Sequence, residues 1–539
     1  MSKKFRQIRP WAFSQRVALS TLVLVNCFSA TFSKAQTAGP TAKSTSPASG
    51  GLLPNLGDGS DLTSSDERRL GERIARELYR DTDYIDDPVL GEYVQGIWQP
   101  LLAAARLRGD LSAELDERFA WEILMGRDRS VNAFALPGGY FGLHLGLIAV
   151  VSSRDELASV LGHELTHVTQ RHISRLISKQ SAHSPWLIGA MILGALAASK
   201  NPDAANALIT GGQAVAAQNQ LNFSRDMERE ADRIGFGVMT QAGFEAQGFV
   251  SMFEKLQQAS RLNDRGSFPY LRGHPLTTER MADMQARVRT TKTGKALPAT
   301  DGGKLEQALI TTRARVLSYS AIDDLHGWAV LTSIDSFAAQ EPARQAASLY
   351  GAAFAALKQR DFAAGLRFQV RLAELTRADA ASERLTRLLG AELALASGDA
   401  GKALLLLRTA AQADGGVAPT LRRPEVLLTS QAQLGAGQAS AAIQLLQSWV
   451  AANPRDATAW QLLSSAYAGQ GQMVRAVRAD AESRVALMDY GAALERFKAA
   501  QGLARDLSNK GAADHIEASI LDTRARQVAL LLKEQAVER

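Results

Sequence analysis

The spacing of apolar and polar positions changes period several times along the 539-residue chain. An amphipathic stretch, DERRLGERIARELYR, follows Ser64, which with Glu67 reads as a capping box opening the first helix. A second helix is expected at Pro88, behind Asp86 and Asp87, because proline is pre-organised for a first helical position. Phe119 to Met125 has strand composition. Asn132 to Leu145, NAFALPGGYFGLHL, reads as two strands joined at Pro137-Gly138-Gly139, since glycine reaches turn dihedrals that other residues resist. Ser153 and Glu156 make another capping box, and the helix they open should run through Leu161 to His172, LGHELTHVTQRH.

Further on, Trp186 to Ala198 is an apolar, helix-like run of 13 residues, too short to span a bilayer. With Ala204 to Ala217, it makes Ser181 to Gln220 either a plain helical hairpin or a lid over a cleft, and the glycines Gly189, Gly194, Gly211 and Gly212 favour the lid. Ser224 to Gly235, SRDMEREADRIG, is expected to be helical. From about Leu305 the chain turns to Ala, Leu, Arg and Gln with short glycine-containing turns, and it repeats. Gly437 and Gly471 stand 34 residues apart, as do Ala442 and Ala476. Trp460, Leu463, Tyr467, Gly471 and Ala476 fall at tetratricopeptide positions, with Pro454 ending the preceding unit. Arg360-Asp361-Phe362 with Gly365, and Gly398-Asp399 with Ala403, repeat the same helix-turn-helix at longer spacing. The expected fold is therefore α+β and mainly helical: a domain with a small β-sheet over residues 64–300, then an all-α tetratricopeptide-repeat solenoid over 305–539.

Composition changes the picture at the N-terminus. Lys3, Lys4, Arg6, Arg9, Arg16 and Lys34 precede or flank an apolar run from Val17 to Val25, with Ser33-Lys34-Ala35 as a small-residue cleavage site. Residues 1–35 read as a secretory signal peptide, and 36–63, rich in Ser, Thr, Pro, Gly and Ala, as a flexible linker. Asn26 before Cys27 is a poor fit to a lipid-attachment box. Six of the 61 basic residues leave with the signal, so 55 remain against 55 acidic residues, and no clustered positive charge argues for nucleic acid. The single cysteine leaves too, so any metal in the exported chain must be held by histidine and carboxylate.

Candidate chemistry begins at His163-Glu164-Leu165-Thr166-His167. On a helix, residues four apart project from one face, so both imidazoles can reach one ion. This is the H-E-x-x-H zinc signature: His163 and His167 supply two of three protein ligands, and Glu164 stands beside the metal to take a proton from water. A hydrophobic strand just ahead of such a helix suits a substrate held as an added β-strand, so one strand in Asn132 to Leu145 reads equally as that docking edge or as an ordinary core strand. In Ser224 to Gly235, Glu228 and Asp232 lie one turn apart: Glu228 could be the third ligand and Asp232 could orient a ligand histidine. Periodicity alone does not choose them over Glu230 and Asp226, or over a solvated acidic face.

The helix HELTH followed by Glu228-Arg229-Glu230-Ala231-Asp232 resembles the HtpX-type and CAAX-protease-type gluzincin metallopeptidases. NAFALPGG, HVTQRH, SRDMEREADRIG and GHPLTTER are most similar to the periplasmic β-barrel assembly-enhancing protease branch of that family. The resemblance implies one zinc ion per chain, with the third ligand on Glu228 and the supporting aspartate on Asp232. It also implies that His274 can sit on the zinc as a fourth ligand, with Arg280 nearby, and that tetratricopeptide repeats follow the peptidase domain. A His-Pro in a loop is by itself a turn signal. His144, His172, His183, His326 and His515 read as surface or satisfied core residues.

Two functions follow as expectations. One is a periplasmic zinc endopeptidase and quality-control factor that promotes assembly of outer-membrane β-barrel proteins and degrades stalled or misfolded ones. Its repeats would dock the assembly machinery, and its location is compatible with association with the outer membrane. The other is a repeat scaffold or chaperone with a latent metal site.

Overall fold

The computed structural model describes residues 62–179, 224–262, 269–291, 301–318, 321–413, 421–509 and 514–537. The basic leader, the Thr37–Ser60 linker and the Ser181–Gln220 lid lie outside the described residues. Helix α1, Ser64–Arg80, corrects the expected cap: Thr63 is the cap residue, and its hydroxyl accepts from the Asp66 N–H. Thr-x-x-Asp supplies the capping chemistry one residue early. Glu67 is thereby free to follow Leu70 and Ile74 into the interior, where it meets Arg171 at 3.2 Å. Helix α2, Pro88–Arg108, starts as expected, with Asp87 accepting from the Leu90 N–H and Pro88 first in the helix. A short α3, Ala113–Arg118, leads to the sheet.

The sheet has three strands in the order β1-β3-β2: β1 Glu122–Gly126, β2 Ala133–Leu136 and β3 Tyr140–His144. Strand β1 starts three residues later than Phe119, because Trp121 adopts φ 51° and interrupts the extended run. The two strands expected in Asn132 to Leu145 are β2 and β3, antiparallel and joined by a 3-10 turn at Pro137–Gly139 with Gly138 at φ 71°. Strand β1 pairs with β3 in parallel, which leaves β2 at an edge among the described strands. The His144 N–H donates to the Asn132 carbonyl, so alternation along the ladder turns the backbone groups of Ala133 and Ala135 outward to that edge.

Helices α4 Leu145–Val150, α5 Arg154–Thr169 and α6 His172–Lys179 follow, α5 and α6 separated by a kink at Arg171, φ 52°. Every residue of α5 from Glu156 to Thr169 is buried, so it is a central helix with no solvated face. Around it stand α2, β2, α7 Arg225–Gln241 and α8 Gln247–Leu262. Helices α9 Pro269–Gly273 and α10 Thr278–Thr290 close this half.

Helix α11, Asp301–Ser318, packs on both α4 and the later helix α13, Pro342–Lys358, with α12 Ile322–Leu331 between them in sequence. Antiparallel helix pairs then stack one on another: α13 with α14 Phe362–Thr376, α15 Ala380–Ala396 with α16 Ala400–Ala413, and α17 Arg423–Gly435 with α18 Ala439–Ala452. The last are α19 Ala457–Gly469 with α20 Met473–Ala486, and α21 Tyr490–Asn509 with α22 His515–Val537. In four of these pairs a left-handed residue sits at the turn: Arg360, Gly398, Gly437 and Gly471. The two halves share one apolar core, in which Leu309 and Ile310 of α11 join Leu147 and Ile148 of α4. Arginine clamps reinforce the seam: Arg384 bridges Glu92 and Glu425, and Arg423 bridges Asp86 and Asp456. Among the described residues no helix is long and apolar enough to cross a membrane.

Candidate metal centre

Helices α5 and α7 cross at two glycines. A β-carbon on Gly162 would lie 3.2 Å from the Gly235 carbonyl oxygen, and one on Gly235 would lie 2.9 Å from that of Gly162. This close approach brings the acidic face of α7 against His163 and His167, one turn apart on α5. His163 Nε2 lies 3.0 Å from His167 Nε2 and 3.6 Å from Glu228 Oε2, and His167 Nε2 lies 3.5 Å from Glu228 Oε1. His274, just beyond α9, joins them: its Nδ1 is 3.3 Å from His163 Nε2 and 3.0 Å from Glu228 Oε1. All four residues are buried.

The donor set fits a metal. Bonds of ~2.0–2.1 Å to a tetrahedral ion place the ligand atoms roughly 3.3 Å apart, and the five separations here run from 3.0 to 3.6 Å. Imidazole with carboxylate suits zinc better than the all-oxygen shells of calcium or magnesium. Burial holds the His167 pKa well below the ordinary histidine value, which keeps the ring neutral and its lone pair available. Burial raises the Glu228 carboxyl, but His274, His163 and Arg280 more than offset it and keep the group ionised.

A rigid support lies behind these groups. His163 Nδ1 is 2.9 Å from Asp232 Oδ1, and Arg280 holds both oxygens of Asp232 through Nε at 2.6 Å and Nη2 at 2.7 Å. Arg280 Nη1 also reaches Glu228 Oε2 at 2.8 Å and the Pro275 carbonyl at 2.8 Å, tying α7 to the loop that carries His274. Burial favours the neutral form of Asp232, and the hydrogen bonds from Arg280 and His163 reverse that, so its pKa is lowered.

Glu164 is buried beside the cluster, its Oε1 3.4 Å from His274 Nε2, and neither of its oxygens sits in a well-formed hydrogen bond. Burial raises its pKa, as suits a group that must accept a proton near neutral pH. The Ala135 N–H on the open edge of β2 faces it. Of the other histidines, His144 is buried against Ser130 at 2.9 Å, His326 and His515 are exposed, and His183 lies outside the described residues. His172 is buried in contact with His167, their Nδ1 atoms 3.0 Å apart. Periodicity could not reveal that contact, because the chain reaches it only by leaving the helical path at Arg171.

A cluster of imidazoles and a carboxylate built around an H-E-x-x-H helix, with a protonatable glutamate beside it and the edge strand β2 alongside, defines a metallopeptidase. Residues 102–288 match the model of peptidase family M48. A β-barrel assembly-enhancing protease of Escherichia coli K12 is 29% identical over 447 residues, 80% of this chain and 83% of that protein. A candidate protease of the same name from Vibrio cholerae is 36% identical over 273 residues, 50% of this chain and 54% of the relative, so the match spans about half of that relative's length. The mitochondrial metalloendopeptidase OMA1 of Saccharomyces cerevisiae is 29% identical over 226 residues, 40% of this chain and 62% of that protein.

Proposed function

We propose that this protein is a periplasmic zinc endopeptidase acting on outer-membrane β-barrel proteins, promoting their assembly and degrading those that stall. The convergence of His163, His167 and Glu228 beside Glu164 carries the enzymatic half of this reading. The names of the bacterial relatives and their coverage support the biological half. Zinc, when bound, polarises the scissile carbonyl and makes water easier to deprotonate. Glu164 accepts the proton and passes it to the leaving amine. Asp232, held by Arg280, orients His163 through its Nδ1–H. The outward-facing backbone of Ala133 and Ala135 pairs with an extended substrate, which leaves its side chains free to vary, as a protease of many unfolded barrels requires.

In this reading the chain comprises a signal peptide over 1–35, a linker over 36–63, a peptidase domain over 64–300 and a tetratricopeptide-repeat domain over 305–539, the last supported by the stacked helix pairs that follow α11. Helical repeats curve into surfaces that hold an extended polypeptide or a partner's helix, the role assigned here to the second domain. The ligand assignment is tested by removing one imidazole. A purified His167→Ala protein is expected to retain well under one zinc per chain by metal analysis, while stoichiometric zinc would sink the assignment.

His274 closes the resting site. Its Nδ1 stands among the ligand atoms at 3.0 and 3.3 Å, where a fourth protein ligand turns a catalytic site into a closed one. Cleavage then requires His274 to leave its place, with substrate contacts favouring the open form. His274→Ala is expected to raise proteolysis severalfold, self-cleavage included. A stable, zinc-loaded but less active variant would show instead that His274 stabilises the transition state.

A further inference from the structure

Two relays leave the cluster, one from each histidine of α5. From His163 the path runs through Nδ1 to Asp232 and ends on buried Arg280. From His167 it runs to a second imidazole. His172 Nδ1 lies 3.0 Å from His167 Nδ1, and His172 Nε2 lies 3.0 Å from Glu230 Oε2, which Arg175 also holds at 3.2 Å. His167 and His172 are both fully buried, while the Glu230 side chain is 31% exposed.

Two ring nitrogens 3.0 Å apart can share one proton and no more. If His167 offers its Nε2 lone pair to the cluster, its proton is on Nδ1. His172 Nδ1 must then accept, which puts the proton of His172 on Nε2, where the Glu230 carboxylate takes the hydrogen bond. Each group in the series has one role, and neither ring is left with an unused buried N–H. The fold makes this possible through the kink at Arg171: α5 ends at Thr169, the backbone passes through φ 52°, and α6 starts with His172 folded back under the last turn of α5. Arg171 is held in that kink by Glu67, Ser174 and the Leu62 carbonyl.

We propose that His172, oriented by Glu230, is the positioning residue of His167, fixing the tautomer and ring plane in which His167 presents Nε2 to the metal. This rests on the reading of His163, His167 and Glu228 as the ligands. The site would then be supported on both sides, by a carboxylate behind His163 and by an imidazole–carboxylate pair behind His167.

The test measures zinc affinity of the full-length protein by competition with a chromogenic chelator, together with the visible spectrum of the cobalt-substituted protein. In His172→Phe the phenyl ring fills the volume of the imidazole but accepts no hydrogen bond. Its zinc affinity should fall by roughly 10–100-fold, the range for outer partners of metal-bound histidines, and its cobalt bands should shift. In His172→Asn the amide oxygen replaces the Nδ1 acceptor at the cost of packing, so this variant should bind zinc more tightly than the Phe variant. A residue that only fills space would give the reverse order. That order, or wild-type affinity in His172→Phe, would overturn the proposal. Should His172→Phe fail to fold by circular dichroism, Glu230→Ala, which removes the acceptor of the His172 Nε2–H, carries the same test from the partly exposed end of the relay. Weaker zinc binding with a shifted cobalt spectrum supports the proposal, and wild-type values for both overturn it. His167→Ala runs in parallel: zinc retained there would mean that the ligand assignment, rather than the relay, is wrong.

Discussion

A Glu164→Gln protein is expected to fold and bind zinc like wild type while losing roughly 10²–10⁴-fold in peptide hydrolysis, the contribution typical of a positioned general base. The substitution preserves size but removes the negative charge and with it the ability to accept a proton. Glu164 lies outside the four-atom ligand cluster, so metal content should not change. Nor should stability suffer, because the carboxylate is fully buried without a well-formed hydrogen bond and burial already raises its pKa. An amide there removes a charge that the fold does little to stabilise. At 25 °C the expected loss corresponds to about 3–5 kcal/mol of transition-state stabilisation. The measurement is turnover of an unfolded β-barrel protein by zinc-loaded wild type and variant, with binding followed separately. Binding kept and cleavage lost supports the enzyme. Residual activity within about tenfold of wild type would mean that another base serves the reaction.

Much of this centre was legible because helical periodicity is local. His163 and His167 are four residues apart and must share a face, and the same rule placed Glu228 and Asp232 together on α7. The choice of Glu228 over Glu230 was not local, and periodicity left it open. It depends on which face of α7 meets α5, and that is fixed by the contact of Gly162 with Gly235, two residues 73 positions apart. The capping box at Ser153 and Glu156 was readable, since Ser153 accepts the Glu156 N–H, whereas at α1 two overlapping boxes competed and Thr63 with Asp66 won. Repeat spacing foretold the helix pairs. It did not foretell that Arg360 would take the left-handed turn position that glycine holds at Gly398, Gly437 and Gly471. Nor could it show that α11 would share a core with α4, because long-range packing of this kind leaves no periodic trace.

That shared core carries the second large effect. Asp87→Ala is expected to cost about 3–5 kcal/mol of stability, the range for removing one partner of a buried ion pair. Asp87 and Arg313 are 7% and 3% exposed, and the guanidinium meets the carboxylate through Nε at 2.9 and 3.0 Å and Nη2 at 2.7 Å. Arg313 also holds Glu392 at 2.7 Å and the Tyr350 hydroxyl at 3.1 Å, and lies over the Phe354 ring. Removing Asp87 leaves a buried cation with one carboxylate and deprives α2 of its cap, two losses that share a residue and will not simply add. Burial raises the Asp87 carboxyl, but the Arg313 charge and hydrogen bonds more than offset it, so its pKa lies below the ordinary 3.8. A carboxyl depressed on folding contributes its stability above the unfolded value and loses it as pH falls through the folded one. The difference between wild type and Asp87→Ala should therefore be full at pH 7 and shrink below about pH 4. Urea unfolding at both pH values measures it, and a difference under about 1 kcal/mol at pH 7 would show that the seam does not stabilise the fold. Because α11 packs on α4, which leads directly into α5, the helix that carries His163 and His167, loss of this pair should also speed zinc release to a chelator well before global unfolding. Unchanged zinc release in a clearly destabilised variant would mean that the repeat half and the metal centre are energetically separate.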